Sequence, residues 1–156
     1  MNELKYQIRY ALPLWLIALL TEWLPENRIS QSLRGALIGR VVGARSSLRV
    51  ARGVNLVNVR DLAIGEGVYL GPYVWVNALG GVVIEDDVML GPFVCIATTT
   101  HGFAAGSVRA GGVHVEAVRI GRGELARSPR DGGRRRRGRF GQSCRGELRG
   151  HEEHTA

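Results

Sequence analysis

Residues 64–81 read IGEGVY LGPYVW VNALGG, and residues 84–101 read IEDDVM LGPFVC IATTTH, with Val82 and Val83 between the two stretches. Each block of six opens on an aliphatic residue: Ile64, Leu70, Val76, Ile84, Leu90 and Ile96. The second position is Gly65, Gly71 or Gly91 in three blocks and Asn77, Glu85 or Ala97 in the others, while Val68, Val74, Val88 and Val94 recur at the fifth. Repetition at a fixed period decides a fold before local propensity does. The physics predicts a short strand that points its aliphatic residue inward, followed by a turn in which Gly or Asn tolerates positive φ. Three strands and three turns then make a circuit of 18 residues, and stacked circuits lay parallel sheets on the three faces of a prism. A doubly wound α/β fold is excluded, because no helical segment of ten residues fits between residues 64 and 101.

Looser sixes precede this stretch, opening at Val42, Leu48 and Val54, and residues 60–63 interrupt them. The repeat domain is therefore placed at 41–121, after an apolar segment over 1–40 and before a basic tail over 122–156. Residues 1–24 read as a helix with Leu12, Trp15, Leu16, Leu19, Leu20 and Trp23 in one stripe and Lys5, Arg9 and Glu22 outside it. Pro25, Glu26 and Asn27 break that helix, and 28–40 reads as a second one with Leu33, Ala36 and Leu37 inward. The apolar run from Tyr10 to Leu20 is about half of what a bilayer span needs, and no small-residue cleavage site follows it. Two roles stay open for the first helix. It lies on a membrane surface through residues 10–24, with its tryptophans at the interface, or it caps the open end of the stack.

The net charge of +7 is unevenly spread: residues 1–121 carry 11 Lys and Arg against 9 Asp and Glu, and residues 122–156 carry 10 against 5. The repeat domain is nearly neutral, so no nucleic-acid partner is expected for it. The two cysteines, Cys95 and Cys144, make no disulfide framework, and Cys95 reads as a small buried thiol within a repeat. Asp86 and Asp87 read as turn residues rather than a carboxylate pair.

His101 ends the last clear six, where the chain leaves the repeat for an irregular stretch, HGFAAGSVRAGGVHVEAV, before Ile120 and Gly121 resume it. A titratable imidazole at the break of a periodic scaffold is a candidate general base; its bland alternative is a surface turn. Asn77 is a second candidate, although Asn suits a left-handed turn unaided. His114 lies in the same excursion.

The blocks resemble the hexapeptide repeat of left-handed parallel β-helix acyltransferases. The stretch GVYLGPYVWVNALGGVVIEDDVMLGPFVCIATTTHGF is similar to the sugar and polysaccharide O-acetyltransferases of that family, over about residues 42–121, with Ile96, Thr98 and His101 as the aliphatic-x-Thr-x-x-His ending. The resemblance implies an all-β, left-handed parallel β-helix with an N-terminal helical segment. It implies a cytoplasmic enzyme, membrane-associated if the first helix binds lipid, that moves an acetyl group from acetyl-CoA to a hydroxyl of a sugar or glycan. In that family the base, here His101, lies at the seam between subunits of a homotrimer, and an asparagine one circuit earlier, matched here by Asn77, contacts substrate. No residue is carried over for acetyl-CoA. No metal is expected: the γ-class carbonic anhydrases that share the prism need three zinc histidines, and only His101 and His114 lie in or beside the repeat.

The family pattern calls for further circuits after Gly121. Residues 122–156 instead carry no sixes and four consecutive arginines, as a disordered tail would. Moved one base forward, the codons of Glu124 to Pro129 can encode Ser-Trp-Leu-Gly-Ala, and those of Leu148 to Ala156 can encode Cys-Val-Val-Thr-Arg-Asn-Thr-Pro. That matches the missing circuits and their usual closing segment, so the tail reads as the product of a frameshift near residues 121–124. The alternative function is then an inactive, truncated β-helix with a structural or interaction role.

Overall fold

The computed structural model describes residues 2–127. The expectations for the chain beyond residue 127, its disorder and its shifted reading frame, lie outside the described residues.

The described chain is built mostly of short strands in parallel sheets, preceded by helices. The first sheet holds β1 (Arg49–Val50), β4 (Tyr69–Leu70), β7 (Met89–Leu90) and β12 (Leu125–Ala126), in that order. The second holds β2 (Asn55–Val57), β5 (Trp75–Asn77) and β8 (Cys95–Ala97). The third holds β3 (Leu62–Ile64), β6 (Val82–Ile84) and β11 (Val118–Ile120). The chain visits the three sheets in turn and returns to the first. Each return advances by twenty residues: Val50 pairs with Leu70 and Leu70 with Leu90, Leu56 with Val76 and Val76 with Ile96, and Ile64 with Ile84. The period of 18 is thus two short. Two sides of a circuit carry six residues and the third carries eight, so Val82 and Val83 are part of the repeat and not an interruption of it.

The inward residues are those at the first and fifth positions of the six-residue sides, joined on the eight-residue sides by Leu62, Ala78 and Val82. Val68, Leu70, Val74, Val76, Val82, Val88 and Leu90 are fully buried in one core with Leu48, Val50, Val59, Leu62 and Ile64. Each such side chain contributes about 1.5–3 kcal/mol of burial. Because both positions point inward, aliphatic residues alone do not distinguish them. The early blocks consequently open at Val50 and Leu56, two residues later than the sixes placed at Leu48 and Val54. The sixth position points outward, which is why Cys95, paired with Trp75, is exposed rather than buried.

Positive φ also sits elsewhere than expected. It falls at the fourth position, in columns that repeat the step of twenty: Ser47, Gly67 and Asp87 at 62°, 67° and 59°, and Gly53, Tyr73 and Phe93 at 71°, 58° and 58°. A left-handed non-glycine residue costs about 1–2 kcal/mol. Tyr73 and Phe93 offset this by stacking, with ring centroids 5.2 Å apart and planes within 9°. A Cβ on Gly53 would meet the Tyr73 ring at 2.4 Å. The second-position glycines serve close approach: a Cβ on Gly65 would lie 2.7 Å from the Asp86 nitrogen, and one on Gly71 2.6 Å from the Leu90 oxygen.

The sheets run past Gly121. Ile120 and Ala126 are both buried, Gly123 takes φ 68°, and β12 pairs with β7, so one more six extends five residues beyond the boundary set at 121. Glu124 and Leu125 belong to that block.

At the other end, α1 (Glu3–Tyr6), a π-helical turn (Gln7–Ala11) and α2 (Leu12–Thr21) form one continuous helical run, followed by α3 (Arg28–Val42). Pro13 lacks an N–H and crowds the turn before it, and the wide π turn accommodates that. Tyr10, Leu14 and Ile17 pack on the core. Asn27 caps α3 by accepting from the Ser30 N–H at 2.9 Å, and Gly43, at φ 71°, ends it. The inward face of α3 is Ser30, Arg34, Gly35, Ile38 and Gly39, whereas Leu33 and Ala36 are exposed, opposite to the sequence expectation. Gly35 decides this: a Cβ there would lie 1.9 Å from the Leu48 carbonyl oxygen, so the helix backbone rests directly on the chain entering β1. Arg34, 2% exposed, donates to the Thr21 and Leu24 carbonyls at 3.1 and 3.3 Å and to Glu26 Oε2 at 3.0 Å. Glu22 and Glu26 accept from the Gly53 and Arg52 amides at 3.0 and 3.1 Å. The helices therefore cover the first circuit of the sheets. Among the described residues no helix is long and apolar enough to cross a membrane.

Candidate functional site

The period is broken at one place in each circuit's eight-residue side. Between β2 and β3 that side is a short 3-10 turn, Val59–Asp61; between β5 and β6 it turns through Gly80 and Gly81, the latter at φ 90°. Between β8 and β11 the chain leaves, and the register jumps from twenty to thirty-six, as Val82 pairs with Val118. The extra length is an antiparallel hairpin of β9 (Thr99–His101) and β10 (Val113–Val115).

Thr98 anchors the hairpin. It is 2% exposed, its Oγ1 donates to the Asn77 carbonyl at 2.9 Å, and the same oxygen accepts from the Gly80 N–H at 2.9 Å. Its own carbonyl accepts from the Glu116 N–H at 2.9 Å, and the Val118 N–H returns to the Gly81 carbonyl at 3.1 Å. Gly80 has no room for a Cβ, which would meet Val115 Cγ1 at 2.5 Å. The root of the hairpin is thus pressed against the preceding circuit.

His101 pairs with Val113 and His114 with Thr100. Side chains alternate across a two-stranded ribbon, so His101 shares a face with Thr99, Val113 and Val115, and His114 lies on the other. His101 is on the side that meets Gly80 and is exposed. His114 Nε2 would be 3.0 Å from a Cβ on Gly102. The two histidines therefore do not converge on one point as two ligands of one metal would. Around His101 the hairpin exposes Phe103 (73%), Val113 (55%) and Val115 (49%), an apolar rim for a solvent-facing imidazole.

Asn77 ends β5 at the same corner. Its Oδ1 accepts from Asn58 Nδ2 at 2.8 Å and from the Leu79 N–H at 3.2 Å, and its φ is not positive. It is a rung of a polar ladder, Asn58 to Asn77 to Thr98, that runs up the corner to the base of the hairpin. The fold thus links Asn77 to the segment carrying His101 through Thr98, with the Asn77 side-chain oxygen already engaged. Sequence reading marks Thr98 only as the threonine of the aliphatic-x-Thr-x-x-His ending; the signal for its anchoring role is the step of twenty from Asn58 through Ala78.

Asp86 and Asp87 do serve turns. Asp86 Oδ1 accepts from the Glu66 N–H at 2.9 Å, and Asp87 holds a left-handed φ. Glu85 is bound by Arg119, whose Nε lies 2.8 Å away, and by the Arg122 N–H at 2.8 Å. Hydrogen bonding from Arg119, then from the Arg122 amide, holds the Glu85 carboxyl below the usual range. Arg122 also pairs with Asp86. This ion-pair cluster ties β11 and the last turn to β6 and stands apart from the hairpin corner.

Comparisons with family models, with curated proteins and with solved structures returned no match.

Proposed function

We propose that the three parallel sheets are the faces of a left-handed parallel β-helix, and that the protein is an O-acetyltransferase using acetyl-CoA and a sugar or glycan hydroxyl. The observation that carries this reading is the placement of His101: an exposed imidazole on the face of the hairpin opposite to His114, at the aliphatic-x-Thr-x-x-His ending where the chain leaves the stack, rooted to it by Thr98. The chemistry needs little else. The imidazole takes the proton of the acceptor hydroxyl as its oxygen attacks the thioester carbonyl. The tetrahedral intermediate collapses, the C–S bond breaks, and the thiolate leaves with the proton held by the imidazolium. An O-acetyl ester and a free thiol result, with no metal or covalent enzyme intermediate.

The exposed rim of Phe103, Val113 and Val115 favours a homotrimer in which a second copy covers the His101 face and completes the site. Asn77 would meet the acceptor only through its Nδ2, since Oδ1 is engaged.

The test is thiol release from acetyl-CoA in the presence of sugar acceptors, for the wild type and His101→Ala. General-base catalysis contributes about 10²–10⁴-fold, and the variant should lose that much while keeping the wild-type sedimentation coefficient. Equal rates in the two proteins remove His101 from the mechanism. Absence of acceptor-dependent release in the wild type with a broad panel of sugars leaves the alternative, a scaffold without acetyl transfer.

A further inference from the structure

The helical run at the N-terminus is apolar on both sides. Tyr10, Leu14 and Ile17 face the core. Leu4, Ile8, Leu12, Trp15, Leu16, Leu19, Leu20 and Trp23 face outward, at exposures between 41% and 75%. These outward residues form one stripe along the whole run and expose on the order of 1,000 Å² together, well above the few hundred Å² of an ordinary soluble patch. A helix that is apolar all round needs apolar surroundings on all sides, and the sheets supply only one of them.

Three features select what covers the other. Residues 2–20 hold two exposed cations, Lys5 and Arg9, against one carboxylate, Glu3, whose Oε1 accepts from Gln7 Nε2 at 2.8 Å. The next acidic residues along the chain are engaged inward: Glu22 with the Gly53 amide, and Glu26 with Arg34 and the Arg52 amide. A parallel second copy of this stripe would bring two such segments together and an antiparallel one would leave Lys5 and Arg9 without counter-charges, whereas anionic headgroups neutralise them. Two of the eight stripe residues are tryptophans, Trp15 and Trp23, which suit the headgroup boundary. Finally, the helix is held along its length by Tyr6 Oη on the Val59 N–H (3.3 Å), by Tyr10, Leu14 and Ile17, and by Glu22, so it offers its side and not its end.

We propose that this stripe docks the protein flat on a bilayer surface containing anionic lipid, with Leu and Trp side chains in the headgroup–acyl boundary and Lys5 and Arg9 reaching lipid phosphates. The docking is independent of acetyl transfer.

The experiment is co-sedimentation of the full chain with vesicles of phosphatidylcholine alone and of phosphatidylcholine mixed with phosphatidylglycerol, with tryptophan emission as a second readout. The wild type should pellet with the mixed vesicles and its emission shift to the blue. Trp15→Ser/Leu19→Ser/Trp23→Ser, all at exposed positions, should keep the wild-type circular dichroism and lose on the order of 100-fold in partitioning. Lys5→Glu/Arg9→Glu should lose about tenfold or more on mixed vesicles. His101→Ala should bind as the wild type does. A wild type that stays in the supernatant with both vesicle types overturns the proposal, as does equal binding by the triple variant. A wild-type oligomer that ignores vesicles, and that the triple variant dissociates, assigns the stripe to a second copy instead.

Discussion

Replacing Thr98 by Val keeps the shape of a buried side chain and removes one oxygen. That oxygen holds two partners: it donates to the Asn77 carbonyl and accepts from the Gly80 amide, each at 2.9 Å. The carbonyl keeps a second donor, the Thr98 N–H at 3.3 Å, so its loss is partial. The Gly80 amide is left with an isopropyl group beside it. An orphaned buried donor costs about 1–3 kcal/mol, and the lost bond to the carbonyl adds under ~1 kcal/mol, so Thr98→Val should destabilise by about 2–3 kcal/mol. With a urea m-value of ~1–3 kcal/mol/M, the midpoint falls by about 1 M. Thr98→Ser keeps the hydroxyl and loses only a methyl, and should recover most of the difference. Thr100→Val, exposed on β9 two residues further on, should stay within ~0.5 kcal/mol of wild type. Amide exchange gives the local readout: the Gly80 N–H should lose protection in Thr98→Val and keep it in Thr98→Ser. If Thr98→Val matches Thr100→Val in urea, or Gly80 stays protected, the hairpin is not anchored by this residue and the ladder has no energetic content.

Gly71→Ala should destabilise by about 1–3 kcal/mol, because its Cβ would lie 2.6 Å from the Leu90 carbonyl oxygen and one circuit must lift off the next; Gly106→Ala, whose Cβ meets nothing within 4 Å, carries only the left-handed φ cost of about 1 kcal/mol, and chemical denaturation ranks the two. Asn77→Ala deprives Asn58 Nδ2 and the Leu79 amide of an acceptor and should cost about 1–2 kcal/mol; a rise in acceptor KM at unchanged stability would instead mark Asn77 as a substrate contact. Burial raises the Glu26 carboxyl pKa, but hydrogen bonds from Gln31 and Arg34, the Arg34 charge and the Arg52 amide outweigh it and hold the group below its ordinary value. The folded state therefore binds this proton less readily than the unfolded chain. The stability gap between wild type and Glu26→Gln should be complete above pH ~4.3 and close as the pH falls through the lowered value; a gap that persists unchanged into acid excludes Glu26 as its source.

The strands were legible because an inward aliphatic residue every six positions is a strong signal, and Leu70, Val76, Ile84 and Leu90 are buried as that signal requires. The circuit length was not, because the pair Val82 and Val83 looks like a gap until the register sets Leu62 against Val82 and shows an eight-residue side. Turn chemistry misled for a related reason. Glycine at the second position looks like a conformational choice, but Gly65 and Gly71 are there because the next backbone leaves no room, while Tyr73, Asp87 and Phe93 accept the left-handed backbone. Sequence shows which residue is small and not which of the two reasons made it so. Thr98 was legible as part of the aliphatic-x-Thr-x-x-His ending, but its anchoring role was not, because its partners, Asn77 and Gly80, are neighbours only through the step of twenty.

The two roles open to the first helix concern different faces of it. Covering the stack uses Tyr10, Leu14 and Ile17, with Arg34 fastening the run to α3 and Glu22 fastening it to the first circuit of the sheets. None of these belongs to the stripe of leucines and tryptophans read from the sequence, which remains exposed. A periodic stripe states that a helix has an apolar side; when the intervening residues are apolar as well, the stripe does not say which side meets the core. Here the core takes the side with the tyrosines, whose hydroxyls need polar partners such as the Val59 amide bound by Tyr6. The side of leucines and tryptophans is left outward, where the indole N–H groups of Trp15 and Trp23 meet the headgroup boundary. The same division explains why capping the stack and docking to a bilayer do not compete: the first fixes the helix in place, and the fixed helix is what holds the second face in one plane.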